Sequence, residues 1–325
     1  MNIQKILKFL NTNRLLWPLK LAVTVLVIYL VNKSVGKNLM PRLFQCVSFG
    51  PVALSVLLGC VELLLQTKRW QMLLNIQGTT IDFKTGLRTM LWGCLLAFVT
   101  PGRSGEFLRG ISIPARDKAD PVFAVLIDKI CSAVAALVFG AIAAVVSCRA
   151  LATHFLPQQS IFVWAAAALA IAATIVSFCK PAKAMIAAFF RSQPAIDFFL
   201  KNTLAKPSGA TGASIVLVTV AAHLVLLTQT AILLKMFGSG GLAIGISVAA
   251  QAYAFMLFVP IFIANMGLRE YSFGLFLRQL SPGLGPMARI SSIAFGASLC
   301  VLCINIVLPA LAGLLWWLGE RKKAL

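Results

Sequence analysis

Two short stretches of the chain carry residues whose types and spacing could bind an anion. In Pro101-Gly102-Arg103-Ser104-Gly105-Glu106-Phe107-Leu108-Arg109, the charged residues Arg103, Glu106 and Arg109 recur at intervals of three. On a helix beginning near Ser104 they share roughly one face and leave one excess positive charge. Gly102 and Gly105 admit close approach of a backbone or headgroup, and the helix start offers N–H groups to an anion, so phosphate is the natural ligand. A solvated interfacial turn whose charges face headgroups is the alternative.

The second stretch is Pro260-Ile261-Phe262-Ile263-Ala264-Asn265-Met266-Gly267-Leu268-Arg269-Glu270. Asn265 and Arg269 are four apart and can share a helical face, whereas Arg269 and Glu270 are adjacent and cannot pair side by side. Glu270 therefore needs a partner from elsewhere, the first stretch being one source; a loop-end ion pair is the alternative. Asp128-Lys129 follows Ala124-Val125-Leu126-Ile127 early in an apolar run, where an acid needs a partner that Arg103 or Arg109 could supply. A helix-start charge in the interface accounts for Asp128 equally well.

Other candidates are weaker. Glu62 lies four residues before Gln66 and near Lys68 and Arg69, so local pairing and snorkelling explain it. His223 sits deep in an apolar run, where donation to a backbone carbonyl is the ordinary role. Gly102-Arg103-Ser104-Gly105 has the G-x-S-G form of rhomboid intramembrane proteases, but Ser104 is hemmed by charges and no further rhomboid feature is present. Cys300-x-x-Cys303 has no second pair to complete a metal site, so the cysteines read as small packing residues. No catalytic residue, metal site or cofactor is expected, and phosphate-loop, dinucleotide and zinc-protease patterns are absent.

The elements that must position these residues are membrane helices. Hydrophobic residues make up 60% of the chain and charged residues 12%, with mean hydropathy +0.92, well below the roughly 25% charge of soluble domains. The net charge of +20 lies in short Lys/Arg clusters at the ends of apolar runs, as on cytoplasmic flanks that attract anionic headgroups, and nucleic-acid motifs are missing. Hydropathy predicts helices at about 17–35, 43–66, 120–147, 159–179, 211–236 and 288–317. The first is read as retained, since no cleavage site follows it.

Regions 81–116 and 241–286 each have an apolar limb, a Pro/Gly break and a second limb carrying charge. With the N-terminus cytoplasmic, the basic clusters at 68–88 and 103–118 both belong inside, so the first region enters and leaves on that face. With loop 149–158 outside, 180–206 inside and the basic C-terminus inside, the second region enters and leaves from the outer face. The expectation is an all-α polytopic membrane protein in one domain, 1–325. It has about six full transmembrane helices plus two re-entrant helical hairpins in an inverted repeat, or about eight hydrophobic segments. A complete crossing by 241–263 is the alternative that would change the C-terminal topology.

At its breaks the sequence resembles the transmembrane region of lysylphosphatidylglycerol synthases, a flippase-like family. Thr100 through Arg109 is similar to that family's P-x-x-x-G-E-x-x-R element, Asp128-Lys129 stands where Asp-Arg is frequent, and Pro260 through Glu270 is similar to its P-x-x-x-x-G-x-G-x-R-E element. Lys68-Arg69-Trp70 fits a basic-Arg-Trp helix end. Asn265 stands where the family usually has Gly, and Arg103 where a small residue is frequent. The resemblance covers about residues 15–318 and implies the translocation half of such synthases, without their soluble aminoacyl-transfer domain. Relatives are also associated with hopanoid and polyprenyl-linked glycan pathways.

Taken together, the expected activity is translocation of an anionic phospholipid or lipid-linked molecule across a bacterial cytoplasmic membrane, with both termini cytoplasmic. Arg103, Arg109 and Arg269 would hold phosphate, Asn265 would line the site, and Glu106, Asp128 and Glu270 would balance the charge, release the headgroup or couple movement to protons. A membrane-embedded transferase on polyprenyl-phosphate sugars, using Glu106 or Asp128 as base, and a non-catalytic scaffold of a lipid-synthesis complex are the rival readings. The partners are membrane lipids, with homo-oligomers compatible and nucleic acid excluded.

Overall fold

The computed structural model describes residues 45–76, 78–99, 105–106, 108–111, 113, 121–150, 209–258, 265 and 267–324. Among these, all regular structure is helical. The segments expected at 17–35 and 159–179 lie outside the described residues, as does Arg103.

Among the described residues, four segments are long and apolar enough to cross a membrane. They are α1 (Phe49–Ile76), most of α4 (Pro121–Ala150), most of α5 (Gly209–Met236), and 287–319. At about 1.5 Å per residue, the 28 residues of α1 reach about 42 Å, more than the ~30 Å hydrocarbon core. Their outward faces carry exposed Leu57, Leu64, Ile142, Val146, Leu217 and Leu315, which water would penalise and lipid solvates. The chain is an all-α, multi-pass membrane protein.

Each of the four spans expected within the described residues is present, with shifted ends. The helix expected at 43–66 runs on to Ile76, because Arg69, Trp70, Leu73 and Leu74 turn into the protein instead of marking a solvated flank. Pro121 opens α4, where its missing N–H leaves nothing unsatisfied. The last span divides into α8 (Met287–Leu302), a π-helical turn at Cys303–Val307, and α9 (Leu308–Ala324).

The two remaining regions are broken. In the first, α2 (Phe83–Val99) is followed by the short α3 (Leu108–Ile111). In the second, α6 (Leu242–Met256) ends in a turn at 257–258, and α7 (Leu268–Leu280) resumes beyond the break. With 15 and 13 residues, α6 and α7 reach only about 22 and 20 Å, so neither crosses the core, and the second region is re-entrant.

Contacts between elements fix the direction of each hairpin. In the last third of α1, Gln71 donates to the Ile81 carbonyl just before α2, and Trp70 donates to Thr89 within α2. Arg69 meets Asp128 and Thr219, near the starts of α4 and α5. Trp92 stacks edge-on against Trp317, close to the end of α9. These residues define one end of the bundle, from which α2 enters and to which α3 returns before α4. The start of α1 lies at the opposite end, where the Ser48 amide approaches the Met236 sulfur at the end of α5. From there α6 descends, α7 returns, and α8 begins after a 3-10 turn at Pro282–Leu284. The hairpins thus enter from opposite ends. Gly313 lets α9 seat on α2, since a Cβ there would lie 2.5 Å from the Leu91 carbonyl oxygen.

Candidate functional site

The first break is organised around Asp128, which is 2% exposed on the second turn of α4. Its two oxygens accept from two arginines, Arg69 Nε at 2.6 Å and Arg109 Nη2 at 2.5 Å. Arg69 also donates to Ser132 Oγ at 2.8 Å and to Thr219 Oγ1 at 3.4 Å. Both hydroxyls are positioned by donating to the carbonyls one turn back, of Asp128 and Ile215 respectively, which leaves lone pairs for the guanidinium. Arg109 lies 4.5 Å from the centroid of the Trp70 ring, a cation–π contact, and Trp70 is held by its indole N–H to Thr89 Oγ1 at 3.1 Å. Beside this cluster Glu106 forms an ion pair with Lys129.

Glu106 does not share a helical face with Arg109, because α3 begins only at Leu108 and Glu106 occupies a 3-10 turn with Gly105. Adjacent residues of α4 take the two charges separately, Lys129 pairing Glu106 and Asp128 pairing Arg109. Arg69 is the residue that sequence reasoning assigned to a basic flank. Its spacing of seven from Glu62, with Gln66, Trp70 and Leu73 between and beyond, was the available signal that it continues the inward stripe of α1.

The second break is organised around Ser298 of α8, which is fully buried. Arg269 Nε donates to Ser298 Oγ at 2.6 Å, and the Ser298 hydroxyl donates to Glu270 Oε1 at 2.6 Å. The adjacent Arg269 and Glu270, which cannot meet side by side on one helix, are thereby joined through a hydroxyl on the next. The other Glu270 oxygen accepts the Gly267 N–H at 2.5 Å. That places a carboxylate over the first turn of α7, where exposed N–H groups favour negative charge. Glu270 thus finds partners within its own hairpin and on α8.

Asn265 also differs from expectation, since it precedes α7 and does not share a helical face with Arg269. Its φ is 57°, and that of Gly267 is 84°. Asn tolerates the left-handed region better than most residues, so it can stand where the resembled family has Gly without changing the backbone path. His223 stacks on Phe139 at 5.3 Å between centroids, and its Nε2 has no hydrogen-bond partner among the described residues. The expected donation to a carbonyl is not made by this nitrogen, and the ring packs against Phe139 instead. No group of three or more His, Cys, Asp or Glu side chains that could hold a metal occurs among the described residues.

Chemically, both sites present guanidinium groups in nearly water-free surroundings, each held by oxygen partners. A phosphate can compete for such groups, since arginine's planar fork matches two phosphate oxygens at once.

The family described as Lysylphosphatidylglycerol synthase TM region matches residues 17–313, a range that includes both breaks and Asp128. No curated protein and no solved structure matches the chain. By this match the chain belongs to the lysylphosphatidylglycerol synthase TM region family, and its function lies with membrane lipids.

Proposed function

We propose that the protein moves an anionic phospholipid or lipid-linked molecule between leaflets, its headgroup passing from one break to the other. The observation that carries this reading is the pair of buried arginines, Arg109 and Arg269, at the breaks of two hairpins entering from opposite ends. Each arginine lies where a helix is interrupted, and irregular backbone at membrane depth is tolerated where it lines a cavity or is packed in protein.

The sharing of Asp128 by two arginines suits exchange of a ligand. When Arg109 turns to a phosphate, Asp128 keeps Arg69 as its counter-charge, so departure of one guanidinium does not strand the carboxylate. Arg103 would add a third phosphate ligand, and Asn265 would line the second break. Glu106 and Glu270 would hold Lys129 and the Ser298–Arg269 bridge until the headgroup arrives. On this reading no lipid bond is made or broken, and the protein is a transporter, not an enzyme. A single membrane domain of a bacterial cytoplasmic membrane accommodates it. The end bearing Lys68, Lys84, Arg88 and the Arg321-Lys322-Lys323 tail would be cytoplasmic under the positive-inside rule.

The test is leaflet exchange of headgroup-labelled anionic and zwitterionic lipids in proteoliposomes, comparing the intact protein with Glu106→Gln and Glu270→Gln. Exchange of the anionic lipid that is lost in both variants, with helicity retained by circular dichroism, supports the reading. Absence of exchange for every lipid refutes it and favours a transferase, detected as product from a lipid-linked sugar, or a scaffold.

A further inference from the structure

A second polar network lies deeper in the bundle and belongs to neither break. Glu62 sits halfway along α1, about 20 Å from each end, and is 8% exposed. Gln66 Nε2 donates to Glu62 Oε1 at 2.7 Å, and Asn305 Nδ2 donates to Glu62 Oε2 at 3.2 Å. Asn305 and Gln229 pair reciprocally, with both amide contacts at 2.8 Å. The remaining Gln229 N–H reaches the Ser55 carbonyl at 2.9 Å. Ser55 itself is fully buried, and its Oγ has no hydrogen-bond partner among the described residues.

Two features of the backbone bring these groups together. The π-helical turn at Cys303–Val307 carries Asn305, and such turns inside long helices re-aim side chains at functional positions. Gly59 lets α1 approach the turn, since a Cβ there would lie 2.7 Å from Ile304 Cγ2 and 3.0 Å from Gln229 Nε2. Ser55, Gly59, Glu62 and Gln66 are spaced four, three and four apart, so one face of α1 meets the whole network.

The donors are arranged for a charged Glu62. A proton taken up at Oε2 would set a donor against the Asn305 N–H, and turning over the Asn305 amide would relieve that clash. Because that amide pairs reciprocally with Gln229, Gln229 would turn as well, and the Ser55 carbonyl would then lose the Gln229 N–H and face the Gln229 oxygen. The Ser55 hydroxyl is a donor on the same residue available to the Gln229 oxygen in the turned state. The network as it stands suits the ionised carboxyl, and turning both amides over would suit the protonated one.

We propose that Glu62 is a proton-binding site and that the Asn305–Gln229 pair transmits its protonation to α1 at Ser55, coupling lipid movement to a proton gradient. The coupling rests on the transport reading, whereas the proton site does not. Of the elements packed against α1, α4 carries Asp128, held by Arg69, Lys129, held by Glu106, and Cys131; His223 on α5 stacks on Phe139, and Lys235 lies in the last turn of α5; Cys303 is in the π turn; α2 carries Lys84, Arg88 and Cys94; and α1 itself carries Cys60. Of α1's own charges, Lys68 donates to Gln71 and Arg69 faces Asp128.

The proton site is tested by pH-difference infrared spectroscopy of the protein in vesicles. The expected result is a protonated-carboxyl band that titrates, is lost in Glu62→Gln, persists at altered frequency in Glu62→Asp, and shifts its midpoint in Asn305→Ala. A spectrum unchanged by Glu62→Gln overturns the site. Coupling is read as the ratio of leaflet exchange with and without an imposed pH gradient; loss of gradient stimulation in Glu62→Gln but not in Glu62→Asp is expected. Stimulation that survives Glu62→Gln, or that follows a sodium gradient at constant pH, overturns coupling through this residue. Absence of exchange in all proteins, with the titrating band present, refutes transport and leaves the proton site standing.

Discussion

Replacing Asp128 by Asn keeps the shape of the first site and removes the carboxylate that Arg69 and Arg109 share. The three side chains are nearly sequestered, with exposures of 4% for Arg69, 2% for Arg109 and 3% for Asp128. Breaking a buried pair by removing one partner costs about 3–5 kcal/mol. Here both guanidinium contacts with the carboxylate are lost together, so the upper part of that range applies. Removing one arginine instead, as in Arg69→Met, leaves a one-to-one pair with Arg109 and should cost less than Asp128→Asn. In the double variant, loss of Arg69 removes part of the penalty that Asp128→Asn creates, so the costs should fall short of additivity by about 1–3 kcal/mol. The assay is reversible unfolding of the four proteins in detergent micelles, with secondary structure as the signal. A cost below about 1 kcal/mol for Asp128→Asn, the range of exposed ion pairs, would refute a desolvated site and restore the solvated interfacial turn.

Three further outcomes follow from individual contacts. Ser298→Ala removes the hydroxyl that joins Arg269 to Glu270 and should cost about 1–3 kcal/mol, read by the same unfolding assay, while slowing lipid exchange if the second break takes part in it. Gly313→Ala drives a methyl group to 2.5 Å from the Leu91 carbonyl oxygen and should destabilise by roughly 1–3 kcal/mol; a change within error would show that α9 and α2 separate freely. At the exposed start of α2, Thr85 holds the Asp82 carboxyl below its usual value of 3.8, chiefly through its hydroxyl and then its amide. Because the folded state favours the ionised form, this contribution is present at neutral pH and fades as pH falls through the carboxylate range. The difference in melting temperature between intact protein and Asp82→Ala should therefore be seen at pH 7 and vanish in strong acid.

Much of the fold was legible because hydrocarbon imposes a simple rule on sequence. Apolar runs of span length identified α1, α4, α5 and the last span, and Pro and Gly beside charge identified the breaks. Helix ends were less legible: Arg69 and Trp70 read as a flank in one dimension and as a buried stripe in three. The site was legible by residue type but not by pairing. Asp128 and Arg109 were recognised as polar residues out of place, whereas Ser298 and Asn305 were missed. A serine or asparagine in an apolar helix carries little signal until the neighbouring helix is known. The pairing of Glu270 with Ser298 is long-range in sequence and set by the packing of α7 on α8, which no local pattern encodes.

Three of the buried polar clusters sit where regular helix is interrupted. The α2–α3 break presents Arg109 to Asp128, the α6–α7 break frees the Gly267 N–H for Glu270, and the π turn aims Asn305 at Glu62. Unbroken helix engages nearly all its own backbone donors, so a carboxylate buried beside it depends on side chains alone. A break supplies backbone donors as well as a change of direction. On the transport reading, neutralising a single carboxylate at these positions should therefore alter lipid exchange more than an equal change on the lipid-facing surface of α1 or α4.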